Sequence, residues 1–178
     1  MCLLCNKGYM ILKKSIVLLG MILTLLFVSS DFAYSSEQMD KYKLITEIGT
    51  LSNTGQYGTA LEKCTNALKK YPKEAELYYW SASIKSHLGD NKSAIKDYTE
   101  AIKINPKDSN AFVMRGISKT ELNDYEGAIA DYNHAIMLNP KDVSAYSMRA
   151  CAKLEIGDME GASKDLEKAN KIYEEGEK

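Results

Sequence analysis

An all-α solenoid of about four helix–turn–helix units is the fold class this sequence predicts, on three observations. Its only prolines, Pro72, Pro106 and Pro140, stand 34 residues apart. Two alanine series keep the same period: Ala60, Ala94, Ala128, Ala162 and Ala67, Ala101, Ala135, Ala169. The stretches between the prolines carry apolar residues at helical spacing and do not alternate as strands do. A fixed period of this length marks a repeat array, whose units bury their apolar faces only by stacking on neighbours.

Each unit reads as two helices. Ala75–Leu88 presents Leu77, Tyr78, Trp80, Ala82, Ile84 and Leu88; Ala94–Ile104 presents Ile95, Tyr98, Ala101, Ile102 and Ile104. The joints are Gly55-Gln56, Gly89-Asp90, Asn123-Asp124 and Gly157-Asp158. Gly or Asn suits the left-handed residue that ends a helix, and Asp after it caps the next. Asn105-Pro106 and Asn139-Pro140 stop the second helices, because proline lacks an N–H and restricts the residue before it. Asp108 and Asp142 are positioned to cap the following unit. Ala82, Gly116 and Ala150 would face Ala94, Ala128 and Ala162 where the two helices cross. Asp97 and Asp131 recur, as do Arg115 and Arg149 one unit later, which predicts Asp-to-Arg bridges between neighbouring units.

The stretches AELYYWSASIKSHLGDNKSAIKDYTEAIKINPKD and SNAFVMRGISKTELNDYEGAIADYNHAIMLNPKD resemble the tetratricopeptide repeat in length, aromatic and small-residue pattern and terminal proline. The resemblance implies a right-handed solenoid with units at 41–74, 75–108, 109–142 and 143–176. The first unit departs from the pattern, with Ile48 at a small-residue position and Cys64 in place of the aromatic. The fourth lacks the proline. It also puts Ser163 and Asn170 where earlier units carry Leu61 and Leu68, Ile95 and Ile102, Ile129 and Ile136, which predicts a polar, self-capping last unit.

The N-terminus reads differently. Lys13-Lys14, an apolar run of 13 residues (Ile16–Val28) and Ser29-Ser30 have the form of a secretory signal peptide. The run is short of the roughly 20 residues a membrane span needs. Residues 1–35 are therefore expected to be a signal segment cut after Ser35, or after Ser30, with 36–40 as a linker. The alternative is an uncleaved anchor over residues 11–30. Met10 also begins an ordinary signal, so translation from Met10 instead of Met1 stays open.

Composition fits a neutral binding module, with 23 Lys+Arg against 24 Asp+Glu. Loss of residues 1–35 removes three lysines and one aspartate and moves the net charge from -1 to -3. There is no basic stripe of the kind nucleic-acid binders carry. Cys2 and Cys5 form a lone C-x-x-C pair without further ligands, which argues against zinc. Cys64 and Cys151 fall in the first and last units, too far apart to bridge. Cys64 is expected in the core and Cys151 partly exposed. His87 and His134 have no ligand spacing, and no nucleophile elbow, phosphate loop or H-E-x-x-H occurs. No catalytic residue, metal or cofactor is expected, and the protein is not expected to be an enzyme.

In the family resembled, the first helices line a concave groove. By position, the groove here would present Tyr42, Ile45, Glu76, Tyr79, Trp80, Ser83 and His87, then Asn110, Val113, Met114, Ile117 and Glu121, then Ser147, Met148, Cys151 and Glu155. Tyr79, Trp80, Val113, Met114, Ile117 and Met148 would make an apolar strip suited to a protein or extended peptide. Relatives that grip a C-terminal carboxylate use Lys and Asn early in the array and Lys and Arg later; the matching positions here hold Ile45, Gly49, Trp80, Asn110 and Met114, none of them basic, so that clamp is not expected. The expected function is an exported scaffold, periplasmic or extracellular, that binds a protein partner in bacterial envelope assembly. A membrane-tethered adaptor is the alternative, and an enzyme with an unrecognised site the remote one.

Overall fold

The computed structural model describes residues 35–176. The expected signal segment, apart from Ser35, lies outside the described residues, as do Cys2 and Cys5. The chain divides into two compact units, Met1–Leu44 and Ile45–Lys178. The described part of the first, 35–44, is helical. Residues 36–40, expected as a linker, are helical and exposed: Glu37-Gln38-Met39-Asp40 holds no glycine or proline to break the helix.

Eight helices and no strand occur among the described residues. They are α1 (35–53), α2 (Tyr57–Lys70), α3 (Ala75–His87), α4 (Asn91–Ile104), α5 (Ser109–Thr120), α6 (Tyr125–Leu138), α7 (Val143–Glu155) and α8 (Met159–Gly176). Within Ile45–Lys178 they form an all-α solenoid. The turn chemistry read from sequence is present. Gly55, Gly89 and Gly157 have φ of 75°, 83° and 83°, and Asn123 has φ 60°. The Asp90, Asp124 and Asp158 carboxylates accept the backbone N–H of Ser93, Gly127 and Gly161. Asp108 accepts from Asn110 and Ala111, and Asp142 from Ala145. With glutamate at position 174 in place of proline, α8 runs 18 residues where α4 and α6 run 14.

Inside the second hairpin Ala82 and Ala94 share one core cluster, and Ala150 and Ala162 of the fourth are both buried. At Gly116 the fit is closest, since a Cβ there would lie 2.6 Å from the enclosed Tyr132 ring. Cys64 is buried and its thiol donates to the Leu77 carbonyl at 3.1 Å. Burial, and then the Asp97 charge, pushes that thiol up to about 12.

The charge pairing corrects the sequence expectation. The bridges close within a hairpin and not between neighbouring units. Arg115 holds both oxygens of Asp131, with Nη2 at 2.6 Å and Nε at 2.9 Å, and Lys119 adds a contact of 2.8 Å. Arg149 and Lys153 repeat the arrangement on Asp165. Asp97 instead takes Ser81 and Lys85 of its own hairpin. The first unit carries the pair reversed, Glu47 with Lys63 at 3.1 Å. Each pair is mirrored about the left-handed turn residue of its hairpin, as antiparallel packing requires. Only the third guanidinium nitrogen reaches the preceding unit, Arg115 to Thr99 and Arg149 to Asn133.

The stacking surface also differs in degree. Ile95, Ile102, Ile129 and Ile136 are half-buried, not enclosed, because the solenoid's edges stay open to solvent. Ser163 and Asn170 are exposed. The end face is not wholly polar, however: Leu166 is 44% and Tyr173 60% exposed, since no further hairpin covers them among the described residues.

Candidate functional site

Which side of the array is concave follows from packing. The first helices α3, α5 and α7 each pack on their own second helix, and α2, α4 and α6 pack on the next first helix. First helices of successive units also touch, α3 on α5 and α5 on α7. Among the described residues no two successive second helices are packed together. The first helices are therefore on the inside of the curve.

Two adjoining cavities open on that side. One, of about 430 Å³, is lined by Glu74, Ala75, Glu76, Tyr79, Trp80, Asn105, Asp108 and Asn110. The next, of about 170 Å³, is lined by Tyr79, Asn110, Val113, Met114, Asp142 and Ser144. Tyr79 and Asn110 belong to both, so the two cavities adjoin and together make up the trough.

The aromatic wall has a defined geometry. Tyr79 and Trp80 meet edge to face, with centroids 5.8 Å apart and ring planes at 86°. Tyr79 leans in the same way on buried Tyr98 at 5.7 Å. Trp80 rests on α1 at Gly49, where a Cβ would come within 2.8 Å of its ring. Burial raises the Tyr79 phenol above its ordinary pKa, and the Asp108 charge adds to the rise.

The structure sorts the expected groove residues. Tyr79, Trp80 and Met114 are half-buried and Asn110 exposed, all on the trough. Val113 lines it too, but is buried in the core with Phe112, Tyr132 and Ala145. Ser83 is buried and offers almost no surface; its carbonyl bonds His87 Nδ1 at 2.8 Å. His87 is exposed, but stacks on Tyr57 of α2 at 5.2 Å, away from the trough. Ile117 and Met148 are half-buried against the same core as Val113. Cys151 is exposed and lines neither cavity. The wide apolar stripe of α3 and α5 explains this: one side faces the trough and the other the neighbouring helix.

Sequence reasoning assigned Asp108 and Asp142 to capping alone. They also line the trough, because a cap at the start of a first helix sits at the mouth of the concave face. The recurring Lys73-Glu74, Lys107-Asp108 and Lys141-Asp142 steps are the signal that could have shown it. Among the described residues no group of three or more His, Cys, Asp or Glu side chains converges to hold a metal ion.

Comparison with curated proteins by sequence returned no match. Among solved structures, a crystal structure of MamA superposes with TM-score 0.73 at 23% identity, over 76% of this chain and 80% of that one. A thermophilic TPR protein of Thermus thermophilus, TTC0263, gives 0.66 at 20% identity over 74% of each chain. The first TPR of Spaghetti (RPAP3), bound to the HSP90 peptide SRMEEVD, gives 0.63 at 22% identity, over 65% of this chain and 92% of that one. The tetratricopeptide repeat profile matches residues 75–108 and 143–175, and a second TPR repeat profile matches 116–157. With helix pairs, left-handed joints and 34-residue spacing all in the same register, the chain belongs to the tetratricopeptide repeat family.

Proposed function

We propose that this protein is an exported scaffold that binds an extended segment of a partner protein in the trough formed by α3, α5 and α7. The observation that carries the reading is the pair of adjoining cavities on the concave side, which share Tyr79 and Asn110. It holds half-exposed Tyr79, Trp80 and Met114 on the concave side of a rigid stack. Large aromatics concentrate binding energy because they bury much area with few rotatable bonds. Repeat proteins use such concave surfaces for partners. The Spaghetti domain, which shares the fold, is one that holds a peptide. The role is non-catalytic, and it requires no cofactor and no nucleic acid.

Export rests on Lys13-Lys14 followed by Ile16–Val28 and small residues. It places the scaffold in the periplasm or outside the cell, in envelope assembly. Mass spectrometry of the mature chain tests this part, with Ser36 or Asp31 expected as the first residue. A membrane-bound chain that retains Ile16–Val28 overturns it in favour of the tethered adaptor.

The groove is tested by affinity capture of partners with the wild type, Met114→Ala and Asn110→Tyr. Asn110 is exposed and shared by both cavities, so the larger ring obstructs the trough without disturbing the core. A loss of about 2 kcal/mol, near thirtyfold in affinity, is expected for a hot-spot residue. Capture unchanged in both variants, with both folded, refutes the assignment.

A further inference from the structure

The trough is one-sided in charge. Three carboxylate residues, Glu74, Glu76 and Asp108, line the larger cavity, and Asp142 lines the smaller. Neither lining includes a lysine or arginine. Lys85 and Lys119 of these helices are engaged with Asp97 and Asp131, while Lys73, Lys107 and Lys141, each next in sequence to an acidic lining residue, are exposed and lie outside both linings. Asp108 spends one oxygen, Oδ1, on the N–H groups of Asn110 and Ala111, which leaves Oδ2 open to a ligand. Its charge acts on the cavity, since it contributes to the raised pKa of Tyr79.

Beside these carboxylates stands the Tyr79–Trp80 corner, two ring planes at 86°. Aromatic faces attract cations through their quadrupole, Trp most strongly. Carboxylates pair with guanidinium or ammonium groups in short, charge-assisted hydrogen bonds. An aromatic corner rimmed by acids is therefore complementary to a cationic side chain and repels a carboxylate.

We infer that the cavity between α3 and α5 receives an arginine or lysine side chain of the partner, so that the segment bound in the trough is basic and apolar. The inference rests on the groove reading above. It separates this chain from the Spaghetti domain, whose peptide ends in Glu-Glu-Val-Asp. The cation fills the corner and meets Glu76 and Asp108, and apolar residues beside it lie along Tyr79 and Met114.

The test uses the full chain, a displayed library of random peptides, and the fluorescence of Trp80, the only tryptophan present. Selected peptides are synthesised and titrated against the wild type and a Glu76→Gln, Asp108→Asn double variant. Asparagine caps a helix as well as aspartate does, so the variant loses charge and keeps the fold, checked by its melting curve. The expected result is enrichment of Arg and Lys over Asp and Glu, a change in Trp80 emission on binding, and about tenfold or greater weakening in the double variant. Peptides that shift Trp80 emission but are neutral or acidic, or bind the double variant equally well, overturn the cationic inference and leave the groove reading standing. If no selected peptide alters Trp80 emission, the groove reading itself fails, and this inference with it.

Discussion

Asp131→Ala should be among the most costly single changes in the array. The Asp131 side chain is 3% exposed, and its partners Arg115 and Lys119 are 15% and 18% exposed. Removing the carboxylate leaves two cations facing each other in a poorly solvated seam. Breaking a buried pair from one side costs about 3–5 kcal/mol, because the charge left behind is uncompensated. Partial exposure of both cations places the expected loss near the lower end, about 3 kcal/mol. For a domain of this size that lowers the melting temperature by about 6–12 °C. The matching position in the first hairpin provides the control. Glu47 and Lys63 are 52% and 39% exposed, and exposed pairs contribute about 0–1 kcal/mol, so Glu47→Ala should stay under about 1 kcal/mol. Urea denaturation followed by far-UV circular dichroism measures both, and Trp80 emission reports the second unit separately. Asp131→Ala within about 0.5 kcal/mol of the wild type, or no costlier than Glu47→Ala, refutes the argument that burial sets the value of these pairs.

Two further outcomes follow from the same packing. Burial alone would raise Asp165, but the hydrogen bonds and charges of Arg149 and Lys153 outweigh it and hold the carboxyl below its ordinary range. Its contribution is then fully present above the unfolded value of about 3.9 and is lost as pH falls through the lower native pKa. Acid titration should show a shallower loss of stability below about pH 4 in Asp165→Asn than in the wild type, and equal slopes refute this. Ile129→Ala should cost about 1–3 kcal/mol, below the range for a fully enclosed isoleucine, whereas Ser163→Ala should stay within about 0.5 kcal/mol. Equal effects in calorimetry would show that the stacking faces are misassigned.

The parts of the fold legible in the sequence are those set by local rules that recur. Gly89, Asn123 and Gly157 mark left-handed joints because few other residues adopt that backbone cheaply. The alanine series mark close crossings because volume there is excluded. Ion pairing was not legible from periodicity. Asp97 with Arg115, and Arg115 with Asp131, recur equally well in the sequence, and only hairpin register chooses between them. The groove was half legible for a related reason. Helical spacing identifies the face that carries Trp80 and Met114. It cannot tell that Ser83, about 60° round the helix from Trp80, and Val113, about 100° round from Met114, are enclosed by neighbours. Nor does it show that His87 is drawn to Tyr57 on another helix. Asp108 was read as a cap, and its place on the trough emerges only once helix starts and cavity mouth coincide.

The direction of the charge pairs has a bearing on how such an array changes length over evolution. Because Arg115 and Asp131, like Arg149 and Asp165, belong to one hairpin, duplication or excision of a hairpin carries both ions together. What crosses the junction is a bond from Arg115 to the Thr99 hydroxyl or from Arg149 to the Asn133 amide, neutral groups that water replaces readily when a neighbour is removed. Bridges running between units would strand an aspartate at one terminus of every shortened array. Hairpins that keep their ion pairs whole can instead be added or dropped as modules, so the number of units, and with it the length of partner that is gripped, is free to drift without a stranded buried carboxylate opposing it.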